Sequence, residues 1–250
     1  MDSKLRGING HPLIPLDEYI PVEPLLSLHQ EICLGIAKSA VSAGIYGPSI
    51  LEASKHKSWW HINQSLPTLV DGPTHEKLSA LSHNQRSLFF KLRFGLVNPL
   101  STIYIRALKN GLSDYRNKAS AKHTELTQDG QNFHPLLDYI YSRLPFQEIG
   151  RILCFITDHH PEMILHRDSI DVTPHQNEFI WLNPSGKKTL CIYDEQSNQR
   201  HCFTGSAAFF NDKDFHGGSG FAEMTYSLRV DGKFTGEFRK KLGVDHLQYY

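Results

Sequence analysis

The sequence predicts an α+β protein in which a mostly helical N-terminal region precedes an all-β core. The main observation is a change of hydrophobic period near Arg151. Apolar residues recur at helical spacing before it, and short apolar runs separated by turn residues follow it. The length of 250 residues suits one large domain or a core with a substantial extension. We therefore expect residues 1–150 to pack on the core and shape its pocket, and residues 151–250 to form the core of one integrated domain.

The N-terminal part reads as helices joined by irregular segments. Residues 1–21 carry two glycines and three prolines, which indicates an irregular arm. Apolar residues at near-helical spacing predict an amphipathic helix from Val22 to Ala43, and similar patterns predict helices over residues 74–88 and 135–143. The polar segment 113–132 is interpreted as a solvated loop, with a mobile lid as the alternative.

The C-terminal part is a series of short apolar runs of strand length. Gly, Pro, Asn and Asp lie between the runs, as is typical of an all-β barrel or sandwich. The runs cover residues 151–157, 163–166, 178–183, 188–193, 200–203, 207–210 and 224–230.

Composition excludes several classes of protein. The formal net charge is zero, so no overall attraction to nucleic acid or to an anionic membrane is expected. No stretch approaches the roughly 18 apolar residues of a membrane span, and no signal-peptide pattern is visible, which predicts a cytoplasmic protein. Cys33, Cys154, Cys191 and Cys202 show no C-x-x-C spacing, so we expect buried free thiols and no zinc site. The sequence does not indicate an oligomeric state.

Three residues have the types needed to bind a metal ion. His166 and Asp168 are two positions apart, so on a β-strand both side chains point to the same face. His216 follows fifty residues after His166, which leaves room for several strands before the chain returns. Two histidines and one carboxylate hold a non-haem Fe(II) on one side and leave coordination positions open on the other. His-x-Asp alone is a weak signal, and its place in a predicted β core carries the interpretation.

The order of these residues resembles the Fe(II)/2-oxoglutarate-dependent oxygenases. The match comprises His166-x-Asp168, about fifty residues of short strands, His216-Gly217, and Arg229 thirteen positions later, and it covers roughly residues 150–234. The resemblance implies a double-stranded β-helix core, also called a jelly-roll or cupin-like core. It also implies Fe(II) as the metal, and 2-oxoglutarate and O2 as co-substrates that yield succinate and CO2. Metal affinity should then fall at acid pH, because the imidazoles must be neutral.

The resemblance further implies a basic residue for the far carboxylate of 2-oxoglutarate. Arg229 matches in position, and Thr225 and Ser227 share its strand face. Lys188 is the rival anchor, since some branches of the family take a lysine from a middle strand. Asn183 is a further candidate contact to the co-substrate. Asp168 favours hydroxylation or a related C–H oxidation over halogenation, because the family's halogenases carry a small residue at this position.

The expected substrate is a small polar molecule, such as an amino acid or a specialised metabolite, and no nucleic acid. Trp59, Trp60 and Trp181 are candidate walls of its pocket, and the alternative for the Trp59-Trp60 pair is that the rings cover the outside of the core. Two other functions stay open. One is a cupin-like metal enzyme that does not use 2-oxoglutarate, in which Arg229 is structural. The other is a non-catalytic β-sandwich that binds a ligand without a metal.

Overall fold

The computed structural model describes seven ranges of the chain: residues 5–42, 60–61, 100–110, 115–157, 165–168, 176–219 and 225–247. Its helices are α1 (Val22–Ser27), α2 (His29–Ser42), α3 (His134–Arg143) and α4 (Gly236–Lys241), with a 3-10 helix over Asp129–Phe133. Its strands are β1 (Leu13–Pro15), β2 (Trp60–His61), β3 (Leu100–Leu108), β4 (Thr124–Leu126), β5 (Phe146–Thr157), β6 (Phe179–Leu182), β7 (Thr189–Asp194), β8 (Gln199–Phe203), β9 (Ala207–Phe210), β10 (Phe215–Ser219) and β11 (Thr225–Phe234).

The strands form two mostly antiparallel sheets. The large sheet has the order β1-β9-β6-β11-β5-β3-β2, with β4 paired to β3, and the small sheet has the order β10-β7-β8. An isolated bridge between His166 and His216 adds one more short segment to the outer edge of β10. From β5 onward the chain passes back and forth between the sheets, with β7 and β8 as one consecutive hairpin: β5, β6, β9 and β11 belong to the large sheet, and the His166 segment, β7, β8 and β10 to the small one. The predicted α+β class is confirmed, and the two mostly antiparallel sheets are consistent with the predicted sandwich.

The large sheet has an apolar core on each face, because apolar residues occupy both sides of its central strands. One cluster lies between the two sheets, and we call it the intersheet cluster: Phe179, Trp181, Leu190, Ile192, Ala208 and Phe210. The other lies between the large sheet and the helices, and it includes Ile32 of α2, Ile140 of α3, and Leu228 and Val230 of β11. Alternation along β11 therefore turns residues 226, 228 and 230 to the helices and residues 225, 227 and 229 to the small sheet.

The described part of the N-terminal region is less helical than predicted. β1 pairs with β9, and β3 extends the large sheet beside β5, so this region contributes strands to the core as well as helices. The helix predicted over residues 22–43 is two helices that meet at Leu28, and the predicted helix over 135–143 is confirmed as α3. The helix predicted over 74–88 lies outside the described residues. β5 begins at Phe146 and therefore crosses the division at residue 150.

The interpretation of residues 113–132 as a solvated loop is wrong only in part for the described residues 115–132, several of which are exposed as expected. This segment contains β4 and most of the 3-10 helix, and only 3% of Lys118 is exposed. The reason is a contact between residues far apart in sequence: the ammonium of Lys118 lies 3.4 Å from the carboxylate of Asp212, which is fully buried. A polar composition is therefore compatible here with an ordered segment that includes a buried cation.

The cysteine prediction is wrong for two of the four residues. Cys191 on β7 and Cys202 on β8 lie directly opposite each other in the small sheet and are joined by a disulfide, with Cα atoms 4.1 Å apart. Cys33 and Cys154 form no disulfide, as expected; Cys154 is buried, and Cys33 is half-buried. In the part of the chain that the structure describes, no helix combines the length and apolarity that a membrane crossing requires.

Candidate metal centre

The two histidines are brought together by backbone pairing. The amide of each donates to the carbonyl of the other, with N–O distances of 2.9 Å in both directions, so both residues sit on neighbouring strand segments. The amide of Asp168 donates to the carbonyl of Asp212 at 3.0 Å, which fixes the backbone two residues after His166. One ligand atom each from His166, Asp168 and His216 lies within 4.8 Å of the other two. The structure thus places together the three residues that the sequence indicated.

The orientation of each side chain suits metal coordination. Asp168 Oδ1 lies 3.6 Å from Nε2 of His166 and 3.7 Å from Nε2 of His216, so these three atoms face a common point. On the far side of its ring, Nδ1 of His216 donates to the carbonyl oxygen of Asp214 at 2.9 Å, which leaves Nε2 for a metal. Burial lowers the pKa of His216 to about 4, so the imidazole is neutral, as a ligand must be.

The turn before His216 is held by the N-terminal arm. The carboxylate of Asp214 accepts hydrogen bonds from the amides of Arg6 and Gly7, at 2.9 and 2.7 Å. Because Asp214 also supplies the carbonyl that binds the His216 ring, the arm supports the position of one ligand from more than 200 residues away in the sequence.

A buried group of charged side chains lies beside the ligands, and we call it the charge cluster. Its guanidinium centre, Arg229, donates through Nε to Asp231 at 2.8 Å, through Nη2 to Asp212 at 2.6 Å, and through Nη1 to Oδ2 of Asp168. Arg151 binds Asp231 at 2.8 Å, and Lys118 lies 3.4 Å from Asp212. The cluster therefore comprises three cations and three carboxylates: Lys118, Arg151, Arg229, Asp168, Asp212 and Asp231.

Sequence reasoning missed four members of this cluster. Asp231 carries a readable signal, because it follows Arg229 by two positions and shares its strand face. The sequence gives no such signal for the other three residues, Lys118, Arg151 and Asp212. Each lies 17 to 94 positions in the chain from the partner that it contacts. Burial by itself would raise the pKa of Asp168, but the neighbouring Arg229 and His216 lower it overall, which keeps this ligand ionised.

Lys188 occupies a buried position just before β7. Its side chain is 4% exposed, and burial lowers its pKa to about 8. A Cβ at Gly218 would lie 2.6 Å from Cε of Lys188, so the glycine two residues after His216 leaves room for the lysine stem. Asn183 fixes the turn: its side-chain amide donates to the carbonyl of Lys188 at 2.9 Å and accepts from the Lys188 amide at 3.3 Å. Asn183 thus positions the lysine, and its contact with a co-substrate stays a prediction.

Two hydroxyl residues of β11 share the face of Arg229 that is turned to the small sheet. Thr225 and Ser227 are each 1% exposed. The Oγ1 atom of Thr225 is buried without a hydrogen-bond partner among the described residues. Buried hydroxyls are normally satisfied, so this atom is a candidate hydrogen-bond donor to a bound ligand.

Of the three tryptophans that are candidate walls of the substrate pocket, the structure describes the side chain of Trp181 alone. Trp181 lies opposite Arg229 in the register of β6 and β11 and packs in the intersheet cluster, where it is 6% exposed. This position makes it a core residue beneath the site. The backbone of Trp60 belongs to β2, but its side chain and the whole of Trp59 lie outside the described residues, so their role as a substrate wall stays a prediction.

Comparison with known proteins adds no family. No protein family model matches this chain, and no curated protein matches it. The geometry of the candidate metal centre therefore carries the functional argument by itself.

Proposed function

We propose that this chain is a non-haem Fe(II)- and 2-oxoglutarate-dependent oxygenase that hydroxylates, or otherwise oxidises a C–H bond of, a small polar molecule. The observation that carries this proposal is the convergence of His166, Asp168 and His216, whose ligand atoms lie within 4.8 Å of one another. Two imidazoles and one carboxylate on one face are the ligand set of oxygen-activating Fe(II) sites. The uncharged overall balance of the chain favours a small substrate, such as an amino acid or a specialised metabolite, over a nucleic acid.

The strand order supports a double-stranded β-helix. The four central strands of the large sheet follow the order β9-β6-β11-β5, and the small sheet follows His166 segment-β10-β7-β8. The chain passes repeatedly between the two sheets as it builds them, as it would in a jelly roll. In this arrangement His166, Asp168 and His216 lie at one edge of the small sheet, next to the inner face of β11.

The charge balance supports a dianionic co-substrate. The charge cluster is neutral by itself, with three cations and three carboxylates. A divalent metal adds two positive charges to a largely buried site, and buried charge is costly unless it is compensated. The buried ammonium of Lys188 adds a third positive charge. 2-Oxoglutarate carries two negative charges, which offset two of these three.

Lys188 is the better anchor for the far carboxylate, in place of Arg229, which the sequence favoured. Arg229 already binds three carboxylates at the level of the metal ligands. The stem of Lys188 lies against Gly218, which is two residues beyond His216 on the same strand face, about 7 Å along the strand. Thr225 begins β11 at the same end of the sheets, since only residues 220–224 separate it from β10.

Each side chain then has a defined task. His166, His216 and Asp168 hold iron, while the ammonium of Lys188 and the hydroxyl of Thr225 receive a carboxylate. Bound Fe(II), together with 2-oxoglutarate and O2, supplies the oxidising chemistry and yields succinate and CO2. The intersheet cluster closes the interior behind the ligands, so water is excluded from that side.

The test of this function is oxygen-dependent formation of succinate. Iron-loaded protein is incubated with 2-oxoglutarate and O2, first alone and then with a panel of free amino acids, and succinate is quantified. We expect at least tenfold more succinate than His166→Ala produces, with a further rise when a substrate is present. Metal binding without succinate above the His166→Ala level would contradict the proposal and favour the cupin-like enzyme.

The valine variant of Thr225 should change stability and binding in opposite directions. Replacing a buried hydroxyl that has no partner among the described residues by a methyl group should raise the free energy of unfolding of the metal-free protein by about 1 kcal/mol. The same change should weaken 2-oxoglutarate binding about tenfold, because one hydrogen bond to a carboxylate is lost.

Thr102→Val is the matched control for that variant. Thr102 lies two strands away on β3, and its buried Oγ1 atom also has no partner among the described residues. It should show a similar gain in stability with unchanged co-substrate affinity, by chemical denaturation and calorimetry. Equal co-substrate affinity in both variants would contradict the role of Thr225.

A further inference from the structure

We infer that Arg229 is a positioning residue for the metal ligand Asp168, and that Asp212 and Asp231 hold it in place for this task. The inference rests on the proposed metal site and goes beyond it, because it gives the arginine a role that the resemblance did not imply. Its basis is the way in which the two oxygens of Asp168 are divided between partners.

The carboxylate of Asp168 has a different partner on each oxygen. Oδ1 faces the Nε2 atoms of His166 and His216, at 3.6 and 3.7 Å. Oδ2 accepts a hydrogen bond from Nη1 of Arg229. Arg229 therefore binds one carboxylate oxygen of Asp168 and leaves the other facing the metal position. A carboxylate restrained in this way donates a single atom to a metal, which keeps further coordination positions open for the co-substrate and O2.

The guanidinium of Arg229 is itself fixed from every side. Its other two nitrogens donate to Asp231 at 2.8 Å and to Asp212 at 2.6 Å, and its plane lies over the ring of Phe179 with 3.8 Å from Cζ to the ring centroid. With all three nitrogens engaged and 4% of the residue exposed, the guanidinium cannot turn to a new carboxylate without breaking a buried ion pair. This rigidity suits an orienting group.

The support for Arg229 reaches into the N-terminal region. The side chain of Asp212 binds Arg229, and its backbone carbonyl oxygen accepts a hydrogen bond from the amide of Asp168. Asp212 therefore contacts both residues of the Arg229–Asp168 ion pair. Its carboxylate also accepts from Asn177 at 2.9 Å and lies 3.4 Å from Lys118. The segment around Lys118 therefore completes the surroundings of a ligand that lies fifty residues farther along the chain.

The decisive variant removes one cation and one carboxylate together, so that the charge cluster stays neutral. Arg229→Gln/Asp212→Asn leaves two cations, Lys118 and Arg151, and two carboxylates, Asp168 and Asp231, in the cluster. Co(II) is titrated into the metal-free protein under anaerobic conditions and followed by its visible ligand-field absorption. We expect Co(II) affinity about 10–100-fold below that of the wild type, the usual effect of removing an outer partner of a metal ligand. At saturating metal, 2-oxoglutarate affinity should stay within about threefold of the wild type.

Arg239→Gln is the matched control, since it also removes a guanidinium from a buried carboxylate. Arg239 binds Glu178 through two hydrogen bonds of 2.7 Å, and neither residue belongs to the charge cluster. Its Co(II) affinity should equal that of the wild type. If the double variant does not fold, Arg229→Lys keeps the positive charge but loses the planar fork, and it should also weaken Co(II) binding.

The remaining outcomes overturn the inference in distinguishable ways. Wild-type Co(II) affinity in the double variant, with weakened 2-oxoglutarate binding, would make Arg229 the co-substrate anchor. Wild-type affinity for both would leave Arg229 a structural residue. If the wild-type protein itself binds no Co(II), the proposed function fails together with this inference.

Discussion

Replacement of His216 by alanine is expected to abolish metal binding. His216 supplies one of three ligand atoms, and its buried ring is held by the Asp214 carbonyl with Nε2 facing Asp168. Loss of a direct ligand should weaken metal affinity by more than the roughly 100-fold upper range for outer partners. At a free metal concentration of 100 times the dissociation constant, the wild-type Tm should rise by roughly 5–11 °C, and the variant should show no shift.

His201→Ala is the control for this experiment. His201 lies on β8 of the same small sheet, opposite Ile192, which in turn lies opposite His216. It is absent from the group of ligand atoms, so its removal should leave the metal-induced shift of Tm intact. Equal shifts in His216→Ala and the wild type would place the metal elsewhere or exclude a specific site.

Replacement of Lys188 by methionine is expected to separate co-substrate binding from metal binding. Methionine keeps the length and apolar contacts of the stem but removes the ammonium. Loss of one partner of a buried charge pair should weaken 2-oxoglutarate affinity by about 30-fold or more, while Co(II) affinity stays at the wild-type value. Lys187→Met, at an exposed neighbouring position, is the control and should change neither. Weaker metal binding in Lys188→Met with unchanged co-substrate affinity would contradict this assignment.

The lowered pKa of Lys188 should make the stability of the wild-type protein depend on pH in a way that Lys188→Met does not share. Burial lowers the pKa of Lys188 from 10.5 in the unfolded chain to about 8, and the nearby thiol of Cys154 stays protonated because burial raises its pKa. Between pH 8 and 10.5 the unfolded chain holds a proton that the folded one has lost, so stability rises with pH. The wild type should gain about 3 kcal/mol over this interval relative to Lys188→Met. Its 2-oxoglutarate affinity should fall above pH 8, because the neutral amine no longer attracts a carboxylate.

The convergence of His166, Asp168 and His216 was predictable from residue spacing and from the series of strands between them. His166 and Asp168 show the two-residue spacing of a strand face, and His216 follows a series of runs with strand length and turn residues between them. The alternation of β11 was equally visible, although the strand continues past Asp231-Gly232 to Phe234. β10 was missed, since Phe-His-Gly-Gly-Ser has no apolar alternation and is a strand only because β7 pairs with it.

Two of the three partners of Arg229, Asp168 and Asp212, were not predictable, because contacts between separate parts of the chain bring them to it. The spacing from His216 to Arg229 fits a co-substrate anchor. The position of the Arg229 side chain along the sheet, relative to His166, Asp168 and His216, depends on the register of β11 against β5 and β6. Lys118 lay in a segment whose composition indicated solvent. The pairing of Cys191 with Cys202 depends on the hairpin register of β7 and β8, and a separation of 11 residues does not reveal it.

The most direct test of the central claim is an anaerobic titration of the metal-free protein with Fe(II) and then 2-oxoglutarate, followed by visible absorption. A weak charge-transfer band should develop in the wild type, be absent in His216→Ala at any concentration, and reach half its height at a much higher 2-oxoglutarate concentration in Lys188→Met. Iron binding without any band on addition of 2-oxoglutarate would contradict the account.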